Sequence, residues 1–313
     1  MNVMTQPLFR GPDPIEALLE SQEDAVLAVI AGTEGPAYRP LGTMMTIFGD
    51  GKRVGSLSSG CIEADLTLHA KRAHRTRSPF SVRYGKGSPF KDIELTCGGG
   101  LDILLVPNPN RNVLKDVVLR RRQRMACTLE VDSANGEMRC VESVTSGWSD
   151  QILNIAFKPE LRFVICGKGP EASTFTALVQ AGGYPNLLLS PDEETRAAAA
   201  RLGSETRPLL TPSLPKDLAI DDRTALALFF HDHDWEPPIL TQALKSNAFY
   251  IGAQGSLRAR DARNTALLGM GIAESELQRI HGPVGLIPSA RDPGTLAVSV
   301  LAEVLAEAQV RCA

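Results

Sequence analysis

The chain has 313 residues, 43% of them hydrophobic, and a formal net charge of −3. That length and apolar content provide for about two domains with sizeable cores, and the weak charge excludes a global basic field for holding nucleic acid or an anionic membrane. Residues 1–15 lack the apolar core of a secretory signal, and the longest apolar run, Ala25 to Ala31, is too short for a bilayer span, so a soluble cytoplasmic protein is expected.

In that compartment the six cysteines, at 61, 97, 127, 140, 166 and 312, are expected as reduced thiols, which favours catalytic or ligand roles over a disulfide scaffold. No CxxC or Cys/His zinc spacing occurs. Along the chain, Ile15 to Leu19 predicts a helix and Ala25 to Ile30 a strand. Met44 to Phe48 and Lys52 to Leu57 predict a hairpin turned by Gly49-Asp50-Gly51. Ile62, Leu66, Ala70 and Ala73 then share one helical face, with Glu63 and Asp65 in the first turn where acids suit the helix dipole. Cys61 therefore falls at or near a helix N-terminus. Further short strands are predicted at Val82 to Tyr84, Ile93 to Leu95, Leu101 to Val106, Cys127 to Val131 and Glu137 to Val144, with a helix over Val113 to Met125.

Two of the cysteines sit among small residues. Cys61 lies in Gly55-Ser56-Leu57-Ser58-Ser59-Gly60-Cys61-Ile62-Glu63, and Cys97 heads Cys97-Gly98-Gly99-Gly100. Backbone N–H groups in such loops are free to face an anion, and amide dipoles of that kind favour thiolate over thiol. The setting of Cys61 favours function over a buried core role. Cys97 stands evenly between function and a tight turn that needs its glycines. Cys127, Cys140, Cys166 and Cys312 read as structural.

The pattern changes after Lys158-Pro159-Glu160, where apolar strands begin to alternate with helical segments. Leu161 to Cys166 predicts a strand, Gly167-Lys168-Gly169-Pro170-Glu171-Ala172 a G-x-G-x-x-A turn, and the segment to Ala181 a helix, the context of a dinucleotide-binding turn. After the second strand, Leu187 to Leu189, the ribose-reading position holds Ser190, with Asp192 two residues later. Thr224 to Phe230 is a buried strand by composition and delivers His231-Asp232-His233-Asp234 to the carboxyl end of a sheet, where α/β folds place ligands. In an extended chain the two histidines fall on one side and the acids on the other, which favours cofactor-loop polarity over a metal site. Phe249 to Gly252, then Gly255-Ser256-Leu257-Arg258, repeats the arrangement as a second anion cradle with guanidinium support. Arg39 is either a phosphate clamp or a solvated loop arginine. A final helix over Leu296 to Ala308 is expected to pack back on the body. The fold class is α/β: an N-terminal α+β domain over 1–157 and a Rossmann-like parallel-sheet domain over 158–313.

Gly35-Pro36-Ala37-Tyr38-Arg39-Pro40-Leu41-Gly42-Thr43-Met44, the Cys61 loop and the Cys97 motif resemble the N-terminal domain of XdhC/CoxI proteins, the xanthine dehydrogenase accessory factors. Gly167-Lys168-Gly169, His231-Asp232-His233, Tyr250-Ile251-Gly252-Ala253-Gln254-Gly255-Ser256 and Ser299-Val300-Leu301-Ala302-Glu303 resemble their Rossmann domain. The resemblance implies a chaperone that binds molybdenum cofactor (molybdopterin), assists its sulfuration by a cysteine desulfurase and delivers it to a xanthine dehydrogenase-class molybdoenzyme. It implies an accessory protein in preference to a turnover enzyme. Such a carrier needs an anion cradle, a soft sulfur donor and shelter from water. The expected site in the first domain is Arg39, Ser59, Gly60, Cys61, Glu63, Cys97, Gly98 and Gly99, with Cys61 and Cys97 as the reactive thiols and Cys61 as molybdenum ligand. In the second it is Gly167, Gly169, His231, Asp232, His233, Gly252, Gly255, Ser256 and Arg258, for NAD(P), another nucleotide or the cofactor's nucleotide-bearing form. Ser190, Pro191 and Gly285-Leu286-Ile287-Pro288 depart from the family pattern and bear on nucleotide preference. The alternative is an NAD(P)-dependent oxidoreductase with Cys61 as nucleophile or redox centre. A homodimer is compatible with the apolar strands and the amphipathic C-terminal helix. Neither nucleic acid nor a membrane is an expected partner.

Overall fold

Asp13 opens the first element: its carboxylate accepts hydrogen bonds from the amides of Ile15 and Glu16 at 2.9 and 3.0 Å and caps helix α1 (Pro14–Glu20). Pro14 stands at the first position, where no N–H is needed. The computed structural model describes residues 11–36, 39–58, 60–89, 98–232 and 234–312. They divide into two compact units, one over Gly11–Pro159 and one that includes Glu160–Ala313.

The first unit is built on a five-stranded sheet ordered β3-β2-β1-β5-β4, with β1 (Ala25–Glu34), β2 (Met44–Phe48), β3 (Arg53–Gly55), β4 (Phe80–Gly85) and β5 (Gly100–Pro107), every neighbouring pair antiparallel. The first seven residues of β1 are buried on both sides, which is why that strand reads as a continuous apolar run. On one face lies α2 (Glu63–Thr76), whose Leu66, Ala70 and Ala73 pack with Val26, Ala28, Ile103 and Leu105. The other face is covered by α1, α3 (Arg111–Arg122) and a second, four-stranded antiparallel sheet ordered β7-β6-β9-β8. Its strands are β6 (Cys127–Asp132), β7 (Met138–Val141), β8 (Gly147–Ser149) and β9 (Ile152–Phe157). The basic end of α3 ties it to α1: Arg121 pairs with Asp13 at 2.8 Å and Arg122 with Glu16 at 3.1 Å. The strand expected at Ile93 to Leu95 lies outside the described residues.

The second unit carries a six-stranded, wholly parallel sheet ordered β12-β11-β10-β13-β14-β15. In the unit's own sequence order this is 3-2-1-4-5-6, the doubly wound Rossmann arrangement. The strands are β10 (Arg162–Gly167), β11 (Asn186–Ser190), β12 (Glu205–Pro208), β13 (Thr224–Phe229), β14 (Tyr250–Ala253) and β15 (Ile280–His281). Helices α4 (Pro170–Ala181), α5 (Glu193–Arg201), α6 (Glu236–Leu244), α7 (Leu257–Gly269) and the short α8 (Glu274–Leu277) connect them. The last helix, α9 (Pro293–Arg311), is longer than its periodicity predicts. It buries Ala297, Val300, Val304 and Ala308 in the core that also holds Phe175 and Val179 of α4. No helix among the described residues is long and apolar enough to cross a membrane.

Candidate functional site

The hairpin β2–β3 delivers the chain through residues 56–62 into α2. Leu57 and Ile62, both fully buried on the sheet face, pin the loop down at its two ends. Between them Cys61 is exposed, one residue before the helix cap Ile62. The amides expected to face an outside anion face inward instead. Those of Leu57, Ser58, Gly60 and Ile62 donate to the Glu63 carboxylate at 3.0, 2.8, 2.9 and 3.2 Å, and the hydroxyls of Ser56 and Ser58 add bonds of 2.9 and 2.8 Å. Glu63 is buried. Burial by itself pushes its pKa up, but the amide and hydroxyl of Ser58 and the hydroxyl of Ser56 outweigh it and hold the carboxyl at about 2. The loop is thus a concave set of amide donors filled by the chain's own anion. Glu63, expected to contact a cofactor, is placed as the internal support of the cysteine loop. Ser59 lies outside the described residues.

Strand directions bring the first unit's motifs to one end of the sheet. The ends of β1, β3 and β4 and the starts of β2 and β5 all lie there, since Glu34 pairs with Gly100, Gly100 with Gly85, and Gly55 with Met45. The Cys61 loop, the Pro36–Arg39 connection and Gly98-Gly99 leave from that end. Asp65, in the first turn of α2, accepts a 2.6 Å hydrogen bond from the Tyr84 hydroxyl near the end of β4, so the helix start is moored beside the root of β5. Burial and then the Asp65 charge raise the Tyr84 pKa. Gly99 is required sterically, because a β-carbon there would stand 2.2 Å from the Pro36 carbonyl oxygen. Gly98 has φ +70° and open space beside it. Cys97 lies outside the described residues. Arg83 and Lys86, at the same end, are spent on acids: Arg83 grips Asp102 at 2.9 and 3.1 Å and pairs with Glu34, and Lys86 pairs with Glu34 at 2.8 Å. Arg39 is exposed and has no ion pair among the described residues. Two hollows of this unit lie elsewhere, one along Leu18, Asp24 and Arg111 and one along Phe48, Lys71 and His74.

In the second unit the loops after β10, β11, β13 and β14 share the carboxyl edge of the sheet, with the strand order reversing between β10 and β13. Gly167 packs against β13, where a β-carbon would meet the Phe229 carbonyl oxygen at 2.4 Å. Gly169, at φ +84°, opens α4, and its N–H donates to the Thr195 hydroxyl at 2.9 Å. Asp192 caps α5 and accepts from both the amide and the hydroxyl of Thr195; these bonds lower its pKa. His231 is exposed with Nε2 3.4 Å from Glu171 Oε2. Asp232 is exposed and accepts from the Asp234 amide at 3.2 Å. The chain bends after β13, so the alternating-side argument for the histidines does not describe it; His233 itself lies outside the described residues. Gly252 is packed against Tyr250 and Val284, Gly255 has φ +140°, and Ser256 caps α7 by accepting from the Ala259 amide at 3.2 Å. Arg258 is exposed.

Cys127 and Cys166 are buried, and burial pushes their thiols up to about 11 and about 12, Cys127 with help from the adjoining Cys140. Among the described residues no group of three or more His, Cys, Asp or Glu side chains is placed to hold a metal ion. The sequence reading missed two anchors, Thr195, bridging Gly169 and Asp192, and the buried ion pair of Glu236 with Arg263, and it did not find the partners of Glu303, which accepts from the Tyr250 hydroxyl and the Gly285 amide. Gly169 and Glu303 were singled out by motif, but their partners are brought up only by the fold.

Residues 163–304 match the model of the XdhC Rossmann domain, and residues 18–85 that of the XdhC and CoxI family. The chain is 35% identical over 291 residues to the molybdenum cofactor insertion chaperone PaoD of Escherichia coli, covering 93% of this chain and 85% of that protein. It is 25% identical to a probable xanthine dehydrogenase component of Bacillus subtilis, with 93% and 95% covered. A crystal structure described as a xanthine dehydrogenase, from Bacillus halodurans, superposes with a TM-score of 0.78 over 95% of each chain at 23% identity, a likeness of fold. On these matches the chain belongs to the XdhC and CoxI family.

Proposed function

We propose that this protein carries molybdenum cofactor and hands it to a xanthine dehydrogenase-class molybdoenzyme, with Cys61 as the sulfur donor to molybdenum. The observation that carries the reading is the exposed Cys61 thiol on a loop fixed by Glu63, at the sheet end from which Arg39 and Gly98-Gly99 also leave. Likeness to a relative named as a molybdenum cofactor insertion chaperone supports it. A thiolate is a soft ligand suited to molybdenum, and an exposed, preorganised one can engage cargo without rearranging its loop. Cys97 is the second candidate thiol, and Arg39 the cation for the cofactor's phosphate. Ser59, Gly60, Gly98 and Gly99 complete the surroundings, with Glu63 acting through the loop. In this reading a cysteine desulfurase supplies the sulfur for sulfuration, the target enzyme is the second partner, the protein works as an accessory factor, and a homodimer is its assembly.

Purification without oxygen from cells that make the cofactor, followed by molybdenum and pterin analysis, tests this. Wild-type protein retains both, and Cys61→Ser lowers retention by about tenfold or more. Full retention in Cys61→Ser and in Cys97→Ser would remove the thiols from the mechanism, and wild-type protein free of molybdenum and pterin would remove the carrier role.

A further inference from the structure

The turn after β10 has the backbone that a dinucleotide pyrophosphate uses, yet the amides of Lys168 and Gly169 are already committed. The Lys168 N–H donates to the Phe229 carbonyl at 3.2 Å, the Gly169 N–H donates to Thr195 Oγ1 at 2.9 Å, and residue 170 is a proline with no N–H to give. The first-turn amides that remain, those of Glu171 and Ala172, share their turn with a carboxylate. Thr195 in turn donates its hydroxyl to Asp192, so the acid closest to the end of β11, from which a ribose diol would be held, is occupied as the cap of α5.

An acid also borders the turn. The second glycine of such a motif lacks a β-carbon so that phosphate oxygens can approach the backbone. At Gly169 a β-carbon would meet Glu171 Oε2, at 3.8 Å. That oxygen is buried and accepts no hydrogen bond; His231 Nε2 is 3.4 Å away without the alignment to donate one. A carboxylate of the protein therefore stands beside the glycine over which the anion of a dinucleotide would approach.

We infer that Glu171 is a specificity-determining residue that shuts this glycine turn to the pyrophosphate of dinucleotides, NAD(P) included. Like charges at such short range repel strongly in a partly buried site, and the Thr195–Asp192 link leaves no free amide at Gly169 with which to offset the repulsion. The inference goes beyond the carrier reading and does not rest on it. It removes the physical basis of the oxidoreductase alternative, whose support is the glycine turn.

Calorimetric titration of the full chain with ADP-ribose, the pyrophosphate-bearing part common to NAD and NADH, tests it. Wild-type protein gives no saturable binding, while Glu171→Gln and Glu171→Ser bind about tenfold tighter or more than the limit set by wild type. Saturable binding by wild type overturns the inference. So does continued absence of binding in both variants once thermal melts show them folded. Molybdenum retention measured on the same preparations keeps the outcomes separate: its loss in wild type bears on the carrier role alone, and a gain of ADP-ribose binding bears on Glu171 alone.

Discussion

Glu63 and Cys61 are two residues apart and face opposite surroundings, one carboxylate wrapped in loop donors and one thiol in solvent. A carboxyl held near 2 against an ordinary value of 4.5 binds its proton more weakly in the folded protein than in the unfolded chain. Its contribution to stability is therefore complete above about pH 4.5 and is lost as pH falls toward 2. Glu63→Gln should cost about 2–3 kcal/mol near neutral pH, because hydrogen bonds to a charged acceptor are replaced by fewer and weaker ones. It should also flatten the decline in melting temperature between about pH 5 and pH 2. Melts across that range check both, and an unchanged acid decline in the variant would show that Glu63 is not the group responsible. The position of Cys61 before a helix was legible from the first-turn acids and the apolar spacing behind them. The rotamer of Glu63 was not, because an amide-lined loop reads alike whether its anion comes from outside or from within.

At the scale of elements, the buried pair of Glu236 and Arg263 joins the start of α6 to α7. Arg263 Nη1 donates to Glu236 at 2.9 Å and to the Gln254 carbonyl at 3.1 Å, fixing the loop that follows β14. The two side chains are 0% and 1% exposed. Arg263→Met should destabilise the protein by about 3–5 kcal/mol by taking the guanidinium away from a fully buried carboxylate, and adding Glu236→Leu should recover most of the loss. Denaturant titration of the single and double variants measures this; equal costs in both would mean that the pair acts by packing. Elements were legible where burial imposes a pattern. β10 and β13, covered on both faces, read as apolar runs, and α2 reads through its spacing of four. α5 escaped because Glu193–Arg201 has only Thr195 and Ala199 to bury. β12 escaped because its residues Glu205–Pro208 form a partly exposed edge, and β9 because Asn154 interrupts its apolar run.

For the whole molecule, each unit has its own sheet and buried clusters on both faces of that sheet. Residues 11–159 and 160–312, expressed separately, should therefore each give a cooperative thermal transition. A fragment that aggregates or melts without cooperativity would make the division one of geometry only. Fold class was legible at this scale because antiparallel hairpins give way to alternating strands and helices. The pairing of the glycine turn's amide was not, since Thr195, which accepts from the Gly169 N–H, stands 26 residues along the chain.

The self-filled cysteine loop bears on release. A handle that orders only around its cargo gains affinity at the moment of docking and must melt before it can let go. Ser56, Leu57, Ser58, Gly60 and Ile62 are held by Glu63 with nothing attached, so in the proposed carrier role departure of a cargo from Cys61 would leave these donors paired. Under the proposed function, a thiol mounted in this way would suit brief, repeatable custody, with the recipient's own pocket deciding when the transfer ends.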